Sequence, residues 1–248
     1  VIVLSYLFRT RIRTIRLTAA SLHPSGPLLR AICSLGVSPF LNQMAMFLVQ
    51  ITLNNTLTYY GALSHYGEDI PLACVGVISK VNILMLGFTL GISQGCQPIF
   101  SYNYGARQYS RVREAYRKAI VAASIICCIA FVCFQLFPRP IVALFDPSGS
   151  EEYFQFAERY FRIYMFMTFV NGIHPVCSQF FTAIGKATKG AVVSLTRQIL
   201  FLLPLIIIFP IFIGIDGVMY AGPIADAAAG IVAIGFALKE LRAMDEIA

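Results

Sequence analysis

The sequence predicts an all-α membrane protein with six transmembrane helices. Three observations carry that expectation. Hydrophobic residues make up 58% of the 248-residue chain and charged residues only 12%, about half the charged share of an ordinary soluble domain. So few charges cannot cover a water-facing surface of this size. Apolar runs long enough to cross a hydrocarbon core of about 30 Å fall near residues 35–60, 70–99, 116–137, 155–183, 190–213 and 217–238. The connections between them alternate in charge, as loops on opposite sides of a membrane do.

Residues 1–8 are apolar but too short to span, and they read as the end of a preceding transmembrane helix. Residues 9–30 read as a cytoplasmic linker. They carry Arg9, Arg11, Arg13 and Arg16, then Pro24, Gly26 and Pro27, which should stop a helix. Residues 31–248 hold the six spans. The first has Gln43, Gln50 and Asn54 on one face. The second aligns Lys80, Gly87, Gly91 and Gln94, is closed by Pro98, and gives way to a turn, Asn103, Tyr104, Gly105 and Ala106. The third includes residues 119–138 without a charge; the fourth aligns Asn171, His174 and Ser178; the sixth aligns Gly222, Asp226 and Gly230.

The charges test this count. Arg9, Arg11, Arg13, Arg16 and Arg30 precede span one. Arg107, Arg111, Arg113, Arg117 and Lys118 follow span two; Lys186, Lys189 and Arg197 fall between spans four and five; Lys239 and Arg242 follow span six. Fifteen of the 19 basic residues thus share one side, while Glu68, Asp69, Asp146, Glu151, Glu152 and Asp216 occupy the other. The bias predicts a multi-pass protein of the cell (inner) membrane, with both ends of the segment cytoplasmic. It also accounts for the net charge of +7 through the lipid bilayer rather than through nucleic acid.

A polar side chain finds no partner in lipid, so these stripes must face protein or water. Interhelical hydrogen bonding is one reading, and a hydrated central cavity is the other. The candidate cavity residues are Gln43, Gln50, Lys80, Gln94, Asn171, His174 and Asp226. An ion pair between Asp226 and Lys80 would explain both charges, as a protonation switch at Asp226 would explain the acid. His174 reads as a hydrogen-bonding core residue or a titrating one. The seven cysteines lie mostly in apolar runs without metal spacing, and read as buried free thiols. No metal or cofactor is implied. Gly91, Ser93 and Gly95 fit G-x-S-x-G, but within a helix rather than at a strand-to-helix elbow. An intramembrane serine hydrolase would need His174 to face Ser93. A non-enzymatic role is the expectation.

The stretches 91–98 (GISQGCQP) and 102–106 (YNYGA), with Arg111 and Val112, resemble the multidrug and toxic compound extrusion (MATE) transporters, their MepA-like branch in particular. Stretches 181–186 (FTAIGK), 196–198 (TRQ), 214–218 (GIDGV) and 223–226 (PIAD) agree in the same order. The resemblance implies one lobe of a twelve-helix bundle, the C-terminal one, whose partner is an N-terminal six-helix lobe absent from this sequence. It implies an antiporter that exports organic cations and drugs by alternating access in exchange for H+ or Na+. Some relatives carry acids in the first and fourth spans of this lobe, where this chain has Gln43, Gln50 and His174. A lipid-linked sugar flippase or polysaccharide exporter of the same superfamily is the alternative, as is a homodimer of half-transporters.

Overall fold

The computed structural model describes residues 25–147 and 149–245. The expectations for residues 1–8 and for most of the linker lie outside them. The chain divides into two units at residue 37, and apart from the start of the first helix all that follows lies in the second. Among the described residues the regular structure is entirely helical. Four helical runs are long and apolar enough to cross a membrane: Asp69–Gly105, Tyr109–Leu136, Ala187–Ile213 and Asp216–Met244.

Helix α1 (Gly26–Ala62) begins inside the stretch expected to be linker. Pro27 sits in its first turn, where a missing N–H costs nothing. Helix α2 (Asp69–Gly105) opens with Asp69 on its positive dipole end and runs through Pro98 without stopping. The expected turn at Asn103, Tyr104, Gly105 and Ala106 is therefore the last turn of a helix. The chain reverses one residue later, at Arg107, whose φ is 56°. Gln108 donates its N–H to the Asn103 carbonyl (2.9 Å) and Arg107 donates to that of Tyr104 (3.0 Å), the paired bonds of a Schellman motif. The Asn103 amide donates back to the Ile99 carbonyl at 2.8 Å. Helix α3 (Tyr109–Leu136) follows and stops before Pro138, which starts the short α4 (Pro138–Phe145).

The fourth span is not the continuous helix expected over 155–183. Helix α5 (Glu151–Tyr164), capped by the Ser150 hydroxyl, gives way to turns and a 3-10 segment (Thr168–Val170) before α6 (Ile173–Ala183). The Thr168 hydroxyl donates to the Met165 carbonyl at 2.7 Å and so competes with the backbone ladder. Gly172 lies where an added Cβ would be 3.1 Å from the Ala123 backbone and from Cys127 Sγ, so the break lets the chain pass close to α3. Pro175 is accommodated in the first turn of α6.

The fifth span is one helical run built of α7 (Ala187–Leu195), a π-helical segment (Thr196–Leu202) and α8 (Leu203–Ile213). Pro204 has no N–H to offer the turn before it, and the widened turn ends beside it. Helix α9 (Asp216–Asp245) closes the fold. Its start packs tightly on α8: a Cβ on Gly217 would lie 2.5 Å from the Phe209 carbonyl carbon.

Two buried apolar clusters hold the second unit together. One gathers Leu53, Ile78, Met85, Phe134, Phe161 and Met219 toward the acidic ends of the spans. The other gathers Phe100, Tyr116, Phe180, Phe181, Val193 and Ala237 toward the basic ends. Cys74, Cys127 and Cys177 are buried as expected, whereas Cys33, Cys128 and Cys133 are exposed.

Candidate functional site

Six of the buried polar residues fall in the sequence intervals that separate these two clusters: Thr89 and Ser93 on α2, Thr168 and Asn171 at the break, Gln198 in the π segment, and Asp226 on α9. The same layer holds both irregular stretches of backbone. Each freed or polar group there needs a partner inside the protein, because lipid supplies none.

At its centre is a buried ion pair. Arg197, in the π segment, places Nε and Nη2 each 2.6 Å from Oδ1 of Asp226, with the two side chains only 13% and 5% exposed. Arg197 is therefore not a loop base, and Asp226 is not paired with Lys80. Eight residues of helix beyond Lys189 carry Arg197 about 12 Å into the span. The stripe Gly222, Asp226 and Gly230 makes this approach possible. A Cβ on Gly222 would lie 2.5 Å from the Tyr164 ring, and one on Gly230 would lie 2.5 Å from Val170. The smallest face of α9 thus packs against the break in the fourth span, with the charged pair between the two glycines.

The α6 stripe resolves into helix–helix hydrogen bonding. His174 Nε2 lies 3.0 Å from the Val193 carbonyl. The Ser178 hydroxyl lies 2.8 Å from that of Ser194 and 3.0 Å from the Gly190 carbonyl. Gly190 is what lets α7 approach, since its Cβ would be 2.8 Å from the Ser178 carbonyl. Ser93 is fully buried and donates to the Thr89 carbonyl at 2.7 Å. Ser93 and His174 each bond elsewhere, and no Ser–His pair forms.

The seven expected cavity residues thus separate. Asn171 and Asp226 are buried and His174 half-buried in the polar layer, whereas Gln43, Gln50, Lys80 and Gln94 are exposed on α1 and α2. Gln50 donates to Asn54 at 3.0 Å on that exposed face.

Sequence reasoning passed over a second buried acid. Glu240, 3% exposed, is bridged by Lys186 and by Lys189, the latter at 2.8 Å. This contact ties the end of α9 to the turn between α6 and α7. The bonded carboxylate raises the Lys186 ammonium above its ordinary value, and Tyr104 of the 103–106 motif adds to that rise. Tyr104 and Lys186 therefore meet at the basic end of the lobe. A signal was present in the two lysines three residues apart, facing a lone acid between Lys239 and Arg242. Among the described residues no cluster of His, Cys, Asp or Glu could hold a metal ion.

Comparison with known proteins places this architecture. The family model described as MatE matches residues 43–208. The multidrug export protein MepA of Staphylococcus aureus is 22% identical over 213 residues, covering 85% of this chain and 44% of its own length. An FAD transporter of Shewanella oneidensis is 21% identical over 169 residues, covering 68% of this chain and 37% of its own. Among solved structures, the outward-facing conformation of a multidrug resistance MATE family transporter of the MOP superfamily superposes with a TM-score of 0.85 at 20% identity. The match covers 98% of this chain and 53% of that one. A MOP superfamily transporter from Pyrococcus furiosus matches equally well, at 0.85 and 20%, over 98% of this chain and 54% of that one. The chain spans about half the length of the relatives it matches.

Proposed function

The chain belongs to the MatE family, and on that premise we propose that it forms the C-terminal lobe of an exporter of organic compounds. In this reading a second lobe of six helices completes the pathway. The two lobes rock about a central site in alternating access, and H+ or Na+ moving inward drives the compound outward. Both ends of this segment lie in the cytoplasm of a cell whose inner membrane holds the protein, in keeping with the basic loops at 107–118 and 186–189.

The observation that carries the reading is the exposed polar face. Gln50, Asn54, Lys80 and Gln94 lie on the surface of the unit, on helices that span or extend beyond a bilayer's thickness. Lipid would leave them unsatisfied, whereas a watery cleft between two lobes would not. The two relatives are named for multidrug export and for FAD transport, so their names together leave the charge of the compound open.

The test is transport by the complete gene product in proteoliposomes, with fluorescent amphiphiles as cargo under an imposed pH gradient or Na+ gradient. Extrusion that depends on one of the two gradients is expected and assigns the coupling ion. Flux independent of both would refute coupled export.

A further inference from the structure

The polarity of this lobe argues against the cationic cargo that the family resemblance suggests, in a way that rests on the exporter reading above. We propose that Lys80 forms part of the substrate site and selects organic compounds bearing an anionic group.

Depth is the first argument. Cys127 lies at the middle of the charge-free stretch 119–138, and its Sγ is 3.9 Å from Met85 Sδ on α2. Met85 is therefore close to the midplane of the bilayer. Lys80 lies five residues nearer the acidic end, about 7–8 Å along the helix. Its backbone sits inside a hydrocarbon half-thickness of roughly 15 Å.

Charge balance is the second. The acid at comparable depth among the described residues, Asp226, is buried and paired with Arg197. The remaining described acids flank the spans or lie near their ends. Lys80 is exposed on the lobe and makes no ion pair with a described residue. A cation at this depth is costly unless water or an anion meets it. In a narrow cleft with low-dielectric walls, its field attracts anions and repels cations.

Shape is the third. Ile83, Leu84 and Phe88 follow Lys80 on the same side of α2 and are 65%, 62% and 65% exposed. An ammonium followed by an apolar strip matches an amphiphile with an acidic head and an apolar body. Gln94, two turns beyond Gly87 on the same stripe, adds a neutral hydrogen-bonding group.

The experiment uses the complete transporter in proteoliposomes, with carboxyfluorescein as the anionic probe and rhodamine 6G as the cationic one. Wild-type protein is expected to extrude the anion. Lys80→Met should lower anion transport on the order of tenfold, the scale of one partly hydrated charge pair. Lys80→Arg should retain it, and Lys80→Glu should turn preference toward the cation. Equal anion transport by wild type and Lys80→Met overturns the inference, as does a cation flux that neither Lys80→Met nor Lys80→Glu alters. In both cases the exporter reading stands. Movement of neither probe by folded wild-type protein overturns that reading and this inference with it.

Discussion

Removing one partner of the Arg197–Asp226 pair should damage the protein far more than removing both. Both side chains are almost fully buried and held at 2.6 Å, so Asp226→Leu leaves a guanidinium without a counter-charge inside the lobe. Breaking a buried pair in this way costs about 3–5 kcal/mol, whereas replacing both ions by apolar groups of similar volume is commonly neutral or stabilising. Arg197→Met should cost a similar amount, and Arg197→Met with Asp226→Leu should recover most of the loss. The coupling energy of the cycle would then be several kcal/mol. The assay is thermal inactivation of the complete protein in detergent, read as the monodisperse fraction left after heating. Unfolding of such proteins is often irreversible, so variants must be compared at one heating rate. A double variant as damaged as the sum of the singles would refute the reasoning, because it would mean that the two side chains act independently. The same double variant tests the protonation switch. If it folds and still transports under a pH gradient, Asp226 is not the coupling acid.

Two further outcomes follow from the basic end of the lobe. Gly185, at φ 78°, caps α6 with the same pair of backbone bonds that ends α2, so Gly185→Ala should destabilise by about 1–2 kcal/mol while Arg107→Gly, at φ 56°, should stabilise by about 1 kcal/mol. Opposite shifts in inactivation temperature would show it. Glu240→Gln should loosen the α6–α7 turn and raise amide exchange over residues 183–190. Because Glu240 raises Lys186, the lysine's share of this contact is fully present below the unfolded lysine value of about 10.4 and is lost as pH rises through the raised folded value. Only acid strong enough to protonate the carboxylate removes the other half of the pair. Stability should therefore stay flat between pH 6 and 9 on its account, and a loss within that window would contradict the assignment.

The helical class and the order of the spans were legible because they depend on composition and period. Residues 119–138 can only be a span, and α3 covers nearly all of them. The break in the fourth span was not legible. Residues 155–183 are apolar enough throughout, and what ends the helix is a contact, Gly172 against Ala123 on another span. Arg197 was misplaced for a related reason. A basic residue after Lys186 and Lys189 looks like one more loop charge until the partner on α9 is known. The stripe containing Asp226 was found correctly from its spacing, but spacing says which face a residue occupies and not what that face meets. Lys80 and Asp226 are the two charges that hydropathy singles out, and it was natural to pair them. In the fold, one turns inward to Arg197 and the other lies on the surface.

Irregular backbone at membrane depth survives only where protein encloses it, and this lobe encloses both of its irregular stretches in one layer. The break at 165–172 packs against the small-residue face of α9, and the Arg197–Asp226 pair ties the π segment at 196–202 to the same face. Above and below, the apolar clusters hold ordinary helices. A 3-10 stretch inside a helical span often marks a hinge, and π turns recur at functional sites. The layer is therefore where the fourth and fifth spans can bend without unpacking either cluster. Lys186, Lys189 and Glu240 clamp the basic end, so bending would displace the opposite ends of these spans instead. Those are the ends at which α2 presents Lys80. Bending there would change the acidic-end half of the exposed polar face, where Lys80 lies, while the basic-end half stays fixed.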